Sequence, residues 1–134
     1  MSDPRLRLRL YFDNGLMLGP GKADLLSGIE AHGSISAAGR AMSMSYKRAW
    51  SLVEEMNAAF TEPLVASTRG GAQGGGAHLT DAGRKVLAHY RNLVAEARRH
   101  GSADIDQITA MLAPKDEAGA GKSTADAADG DISG

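Results

Sequence analysis

The chain has no cysteine. Disulfides and thiolate-held metals are therefore excluded, and a reducing, cytoplasmic setting is expected. Aromatic residues are scarce, with two Phe, three Tyr and one Trp in 134 residues, so any core must rest on Leu, Ala, Val and Met. No apolar run reaches the roughly 20 residues that a membrane-spanning helix needs. The opening MSDPRLRLRLYF also lacks the apolar centre of a signal peptide, and no membrane partner is expected. No Ser/His/Asp or paired-carboxylate constellation stands out. The four histidines are scattered: His89 and His100 are eleven residues apart, about 16 Å along a helix. The expectation is a protein that is not an enzyme and has no cofactor or metal.

A chain of this length suits one domain with appendages. Its formal net charge of −1 conceals a split. Residues 1–101 carry thirteen Lys/Arg against nine Asp/Glu, a net of +4, whereas residues 102–134 carry two against seven, a net of −5. A basic body followed by an acidic tail points weakly towards nucleic acid. The expected division is a body over 1–101 and an acidic, Gly/Ala-rich tail over 102–134, disordered by composition beyond about residue 114.

RLRLRLYF, Arg5 to Phe12, alternates Arg with Leu and reads as a half-buried strand. Its Arg5, Arg7 and Arg9 face is read as a solvated one. Asn14-Gly15 is a hairpin turn signal, because both residues accept positive φ, and Leu16 to Gly19 is the return strand. After Pro20, Leu25, Leu26 and Ile29 fall at helical spacing and Gly33 is a suitable stop. Two further helical patterns follow with only a short break between them. SAAGRAM takes Ser36 as its N-cap, and SYKRAWSLVEEMNAAF takes Ser45. Thr80 caps a last helix with Asp81 in its first turn. That helix carries one apolar stripe, Val86, Leu87, Tyr90, Leu93, Val94 and Ala97, and Ile105, Ile108, Met111 and Leu112 extend it by a turn or two.

Two helices joined by a tight turn make a helix-turn-helix if the second has one buried and one free face. With Tyr46 set at 0° and about 100° per residue, Ala49, Trp50, Leu52, Val53, Met56 and Phe60 share one arc. Lys47, Arg48, Ser51, Glu54 and Glu55 share the other. The free face opens with cations, at the end where a recognition helix enters the major groove and where its dipole favours phosphate. The same pattern also fits an ordinary amphipathic surface helix. Trp50, on the apolar arc, is expected in the core, while Tyr46 borders both arcs and fits either packing or a phosphate contact.

The run STRGGAQGGGAHLT, Ser67 to Thr80, puts five glycines in seven positions. A phosphate loop would need Lys-Ser/Thr after the glycines and then a helix, and neither is there. GAGKST, Gly119 to Thr124, fails as well, because Asp116 stands where the motif needs its first glycine. A flexible linker remains open. The favoured reading is strand, loose tip, strand: the wing of a winged helix. Arg69, Gln73 and His78 then offer donors to the sugar-phosphate backbone.

With both elements in place, the chain resembles the DNA-binding domain of the molybdate-responsive ModE-type regulators. The resemblance runs from about Leu6 to His100. It rests on GSISAAGRAMSMSYKRAWSLVEEMN, above all SYKRAW, followed by GGAQGGGAHLTDAGRKVL. SISAAGRAM is also similar to the amino-terminal domains of LysR-type regulators. The resemblance implies a mainly α fold with small β elements: a winged helix-turn-helix with an amino-terminal hairpin and a long carboxy-terminal helix that builds a homodimer. It places Ser45, Tyr46, Lys47, Arg48 and Ser51 at double-stranded DNA with the glycine loop as wing, and Ser36 and Arg40 complete the expected contact set. Dimerisation falls to Val86, Leu87, Tyr90, Leu93, Val94 and Ala97. Only 33 residues follow Gly101, too few for a sensing domain. Molybdate binding by this chain is therefore not expected, and a link to molybdenum-related genes is an association alone. The expected function is a dimeric transcriptional regulator reading a pseudo-palindrome. The alternative is a winged-helix protein-interaction module that does not bind DNA.

Overall fold

The computed structural model describes residues 5–68 and 76–114. Near its amino end, β1 (Leu10–Tyr11) pairs antiparallel with β2 (Met17–Leu18), Leu10 opposite Leu18. The Asn14-Gly15 turn joins them, with Gly15 at φ 94° and the Asn14 side chain accepting from the Leu16 amide. The ladder is much shorter than the eight-residue strand expected: among the described residues β1 pairs with β2 alone, over two residues. The alternation persists in part: Leu6 and Leu8 are half-buried and Arg5 and Arg7 exposed, but Arg9 is half-buried too.

Helix α1 (Pro20–His32) starts on a proline, whose missing N–H costs nothing in a first turn. It stops at Gly33, which adopts φ 78° and returns its amide to the Ile29 carbonyl at 2.8 Å. Helix α2 (Ile35–Ala41) follows at once, capped by Ser34, whose hydroxyl accepts from the Ala37 amide at 2.9 Å. Ser36 is therefore not the cap. With Gly33 closing α1, only Ser34 is left between the helices, and Ile35 must enter α2 directly to be buried. The turn over Met42–Met44 holds Ser43 at φ 59°, and the Met44 amide returns to the Gly39 carbonyl. Helix α3 (Tyr46–Ala59) is capped by Ser45, as read from the sequence.

Strands β3 (Val65–Thr68) and β4 (Gly76–Leu79) form the second antiparallel pair, in register from Val65 opposite Leu79 to Thr68 opposite Gly76. Helix α4 (Asp81–Ala110) follows. Thr80 caps it by accepting from the Gly83 amide, and its hydroxyl donates to the Pro63 carbonyl at 2.7 Å. The helix runs unbroken through Gly101 for 30 residues, about 45 Å, so it takes in residues expected to belong to the tail. The architecture is a mainly α winged helix-turn-helix with an amino-terminal hairpin and a long last helix. The core gathers Leu25, Leu26 and Ile29 of α1, Val53 and Met56 of α3, and Leu64 and Leu79 at the base of the wing. Each of these side chains contributes about 1.5–3 kcal/mol by leaving water.

Two contacts seat α4. A Cβ on Gly83 would lie 2.1 Å from the Leu64 carbonyl oxygen, so only hydrogen fits where the helix start crosses the wing base. Farther along, the Tyr90 hydroxyl donates to the Leu8 carbonyl at 2.6 Å. Burial, reinforced by the Asp24 carboxylate, raises the Tyr90 phenol above its ordinary pKa of 10.0, which keeps the donor protonated.

Replacing Gly83 by Ala should cost about 2 kcal/mol in urea unfolding, because the backbone clash outweighs the helix propensity gained. Tyr90→Phe should cost about 1 kcal/mol at neutral pH. A pKa raised on folding contributes stability that is present below the ordinary value and lost as pH climbs past it. The wild-type chain should therefore lose stability above about pH 10 more steeply than Tyr90→Phe, as read from denaturation midpoints against pH.

Candidate nucleic-acid interface

The two arcs of α3 separate in the fold. Ala49, Leu52, Val53 and Met56 are buried, while Lys47, Arg48, Ser51, Glu54 and Glu55 are exposed. The Ser45 cap spends its hydroxyl on the Arg48 amide at 3.1 Å. The open helix end thus presents a cationic first turn to solvent.

Trp50 is a correction. It is 38% exposed rather than part of the core, and it stacks on Tyr46, itself 57% exposed, with ring centroids 6.4 Å apart and planes 17° from parallel. At about 110° from the centre of the buried arc it lies on the rim, and the smaller Ala49 and Val53 fill the space beneath. Tyr46 thus packs on Trp50 while more than half of its surface stays open to solvent.

On α2, Ser36 is half-buried and its hydroxyl accepts from an Arg40 guanidinium nitrogen at 2.9 Å. That bond holds Arg40 on the exposed surface. His78 is exposed on β4 opposite Ala66. Arg69 and Gln73, and the glycines from Gly70 to Gly75, lie outside the described residues.

Three side chains that sequence reasoning passed over bind the interface elements together. Asn57 of α3 reaches the start of β3. Its carbonyl oxygen accepts from the Leu64 amide at 2.8 Å and the Val65 amide at 3.1 Å, and its amino group donates to the Val65 carbonyl at 3.1 Å. Asn14 of the hairpin turn donates to the Ala59 carbonyl at the end of α3. Lys22 of α1, its side chain only 4% exposed, is 3.7 Å from the Glu55 carboxylate. Sequence spacing carries no trace of these partners, since all three contacts are tertiary. The consequence for charge is direct: Glu55 is committed to Lys22. Glu54, with Trp50, Asn57 and Ser67, lines an open cleft of about 360 Å³ between α3 and the wing.

The stripe assigned to dimerisation divides. Leu87 and Tyr90 are buried against their own chain, because the first turns of α4 close the domain core. Val86 and Val94 are half-buried against the same core. Leu93 is exposed and Ala97 half-buried, and farther out Ile108, Met111 and Leu112 face solvent. Among the described residues there is no cluster of three or more His, Asp or Glu able to hold a metal ion, and no helix is long and apolar enough to cross a membrane.

No protein-family model matches the chain. Individual relatives do. The molybdenum transport protein ModE of Azotobacter vinelandii is 44% identical over 90 residues, covering 67% of this chain and 33% of that protein. The DNA-binding transcriptional dual regulator ModE of Escherichia coli is 36% identical over 92 residues, covering 69% and 35%. The transcriptional regulator ModE of Haemophilus influenzae is 32% identical over 100 residues, covering 75% and 39%. The homologues of this chain are ModE-type molybdate-responsive regulators. The chain spans a third or a little more of the length of these three relatives. The shared region is consistent with the small amino-terminal part of these relatives.

Asn57→Ala removes the acceptor for two backbone amides at a buried turn, and each unsatisfied amide costs about 1–3 kcal/mol. A loss of about 2–3 kcal/mol in chemical denaturation is expected, with faster hydrogen exchange at the Leu64 and Val65 amides. Asn57→Asp keeps the acceptors and should fall between that variant and wild type.

Proposed function

We propose that the protein is a DNA-binding transcriptional regulator that acts as a homodimer on a pseudo-palindromic site, in association with molybdenum-related genes. The observation that carries this reading is the exposed, cationic first turn of α3, Lys47 and Arg48, on a helix whose opposite face is locked into the core. A recognition helix enters the major groove by that turn. Its dipole and its cations favour phosphate and guanine edges there. Ser45, Tyr46 and Ser51 border the same turn. Ser36 and Arg40 of α2 face the flanking backbone, and the wing, with His78, Arg69 and Gln73, holds the next stretch of sugar-phosphate. The regulatory names of the relatives support the reading.

The dimer rests on α4. Leu93 borders an apolar cleft of about 220 Å³ formed with Leu10, Phe12, Phe60 and Val86, and the apolar residues at the far end of α4 are exposed among the described residues. A second copy supplies that cover. Two recognition helices then meet successive major-groove faces about 34–36 Å apart, or a multiple of that distance. The body over 1–101 carries the DNA contacts.

Duplexes selected by the purified protein from genomic fragments provide the test. Arg48→Ala should weaken binding to them by about 1–3 kcal/mol in a gel-shift titration. Affinity should fall steeply as salt rises, because phosphate contacts release counterions. Negligible affinity for every duplex, with no salt dependence, would assign the fold to protein interaction instead. Separately, Leu93→Asp should shift sedimentation equilibrium towards the monomer and reduce affinity for two-half-site duplexes more than for single half-sites.

A further inference from the structure

The cations of α3 explain attraction to a duplex but not the two aromatic rings beside them. Tyr46 is the first residue of α3, the position that leads into a groove, and Trp50 follows one turn later. Their rings are stacked and exposed, forming a flat apolar ridge on the wing side of the free face, next to Lys47. Of the chain's six aromatics, Tyr11, Phe12, Tyr46 and Trp50 are exposed, and the last two stack on each other.

We propose that the Tyr46–Trp50 ridge reads the C5-methyl groups of thymines in the major groove. The inference rests on the DNA-binding reading above. Base edges there present nitrogen and oxygen donors and acceptors and one apolar feature, the thymine methyl. The faces of the two rings gain by covering a methyl that water would otherwise surround, and their polar atoms, the Tyr46 hydroxyl and the Trp50 indole N–H, sit at the ring edges. The ring centroids are 6.4 Å apart, close to two base-pair rises of about 3.4 Å each. The ridge therefore spans methyls two base pairs apart in a short thymine-containing run. A protein partner is disfavoured at the Tyr46 end of the ridge, where the Lys47 and Arg48 side chains and the positive end of the helix dipole seek an anion, while Glu54 stands one turn beyond Trp50.

The test uses the wild-type chain and one duplex recovered by selection from a random pool, resynthesised with deoxyuridine in place of thymidine at single positions. Uracil keeps the O4 acceptor and the pairing and lacks only the methyl. Affinity should fall about three- to fourfold at each contacted position, the effect of uncovering one methyl-sized apolar group. Tyr46→Ala/Trp50→Ala should bind the thymidine and deoxyuridine duplexes equally. Equal affinity of the wild type for both at every position overturns the proposal and leaves DNA binding standing. Discrimination that survives in the double variant also overturns it. Recovery of no duplex at all removes both readings together.

Discussion

The close approach of α2 and α3 at Gly39 and Ala49 is the constraint on which the interface depends. A Cβ on Gly39 would lie 2.9 Å from the Ala49 Cβ, nearer than two such atoms tolerate. The glycine lets the helices touch almost backbone to backbone. The Gly39 carbonyl also accepts from the Met42 and Met44 amides, so the residue that sets the crossing sets the turn as well. With the crossing fixed there, Ala49 points inward, and the positions on the opposite side, Lys47 and Ser51, must point away. The outward aim of the cationic turn follows from a missing methyl group on the preceding helix.

Orientation alone would leave the wing and hairpin loosely placed, and three polar contacts prevent that. Asn57 ties the start of β3 to α3 through backbone groups at both ends of its amide. Asn14 holds the hairpin turn to the last carbonyls of the same helix. The Lys22–Glu55 pair joins α1 to α3 with one charge buried and the other half in solvent. That pair adds little to stability by itself, given the cost of burying an ammonium group. Its effect on the interface is larger: the carboxylate of Glu55 is held by a lysine, which lowers the negative field on the face offered to a polyanion. All three contacts lie on the α3 segment after Ser51, so the rear of the helix is used for anchoring and its front is left free.

Much of this was legible in the sequence because it is local. Ser45 and Thr80 announce helix starts by a hydroxyl three residues before an amide in need of a partner, and Gly15 and Gly33 mark conformations that other residues resist, though Asn14 does not take the positive φ expected of it. The period of α3 separated buried Leu52, Val53 and Met56 from exposed Lys47 and Arg48 correctly. It misjudged Trp50, because hydropathy assigns a large ring to the apolar side while an arc has rims where a second ring can substitute for a core. Ser36 lost the cap to Ser34 for a reason of chain economy: a helix stop at Gly33 leaves no room for a longer link. The tertiary partners of Asn57, Asn14 and Lys22 could not be read: those of Asn14 and Lys22 lie more than thirty residues away, and those of Asn57 lie beyond the end of its helix, where no fixed spacing applies.

Helix α4 shows how one period can serve two surfaces. Gly83, Leu87 and Tyr90 are spent within the chain, the first by its lack of a side chain and the last by its hydroxyl bond to Leu8. The same stripe continues past Leu93 towards Ile108 with the domain no longer beneath it. Periodicity predicts an apolar face but not where cover from the chain itself ends, so the sequence merged the two parts. A helix seated so firmly at its start cannot swing to hide its far end, and its 30 residues set a fixed reach. In the dimer proposed above, that reach becomes a measure of distance. The start of α4 sits against the base of the wing, so whatever pairs the far ends also fixes how far apart the two recognition helices stand.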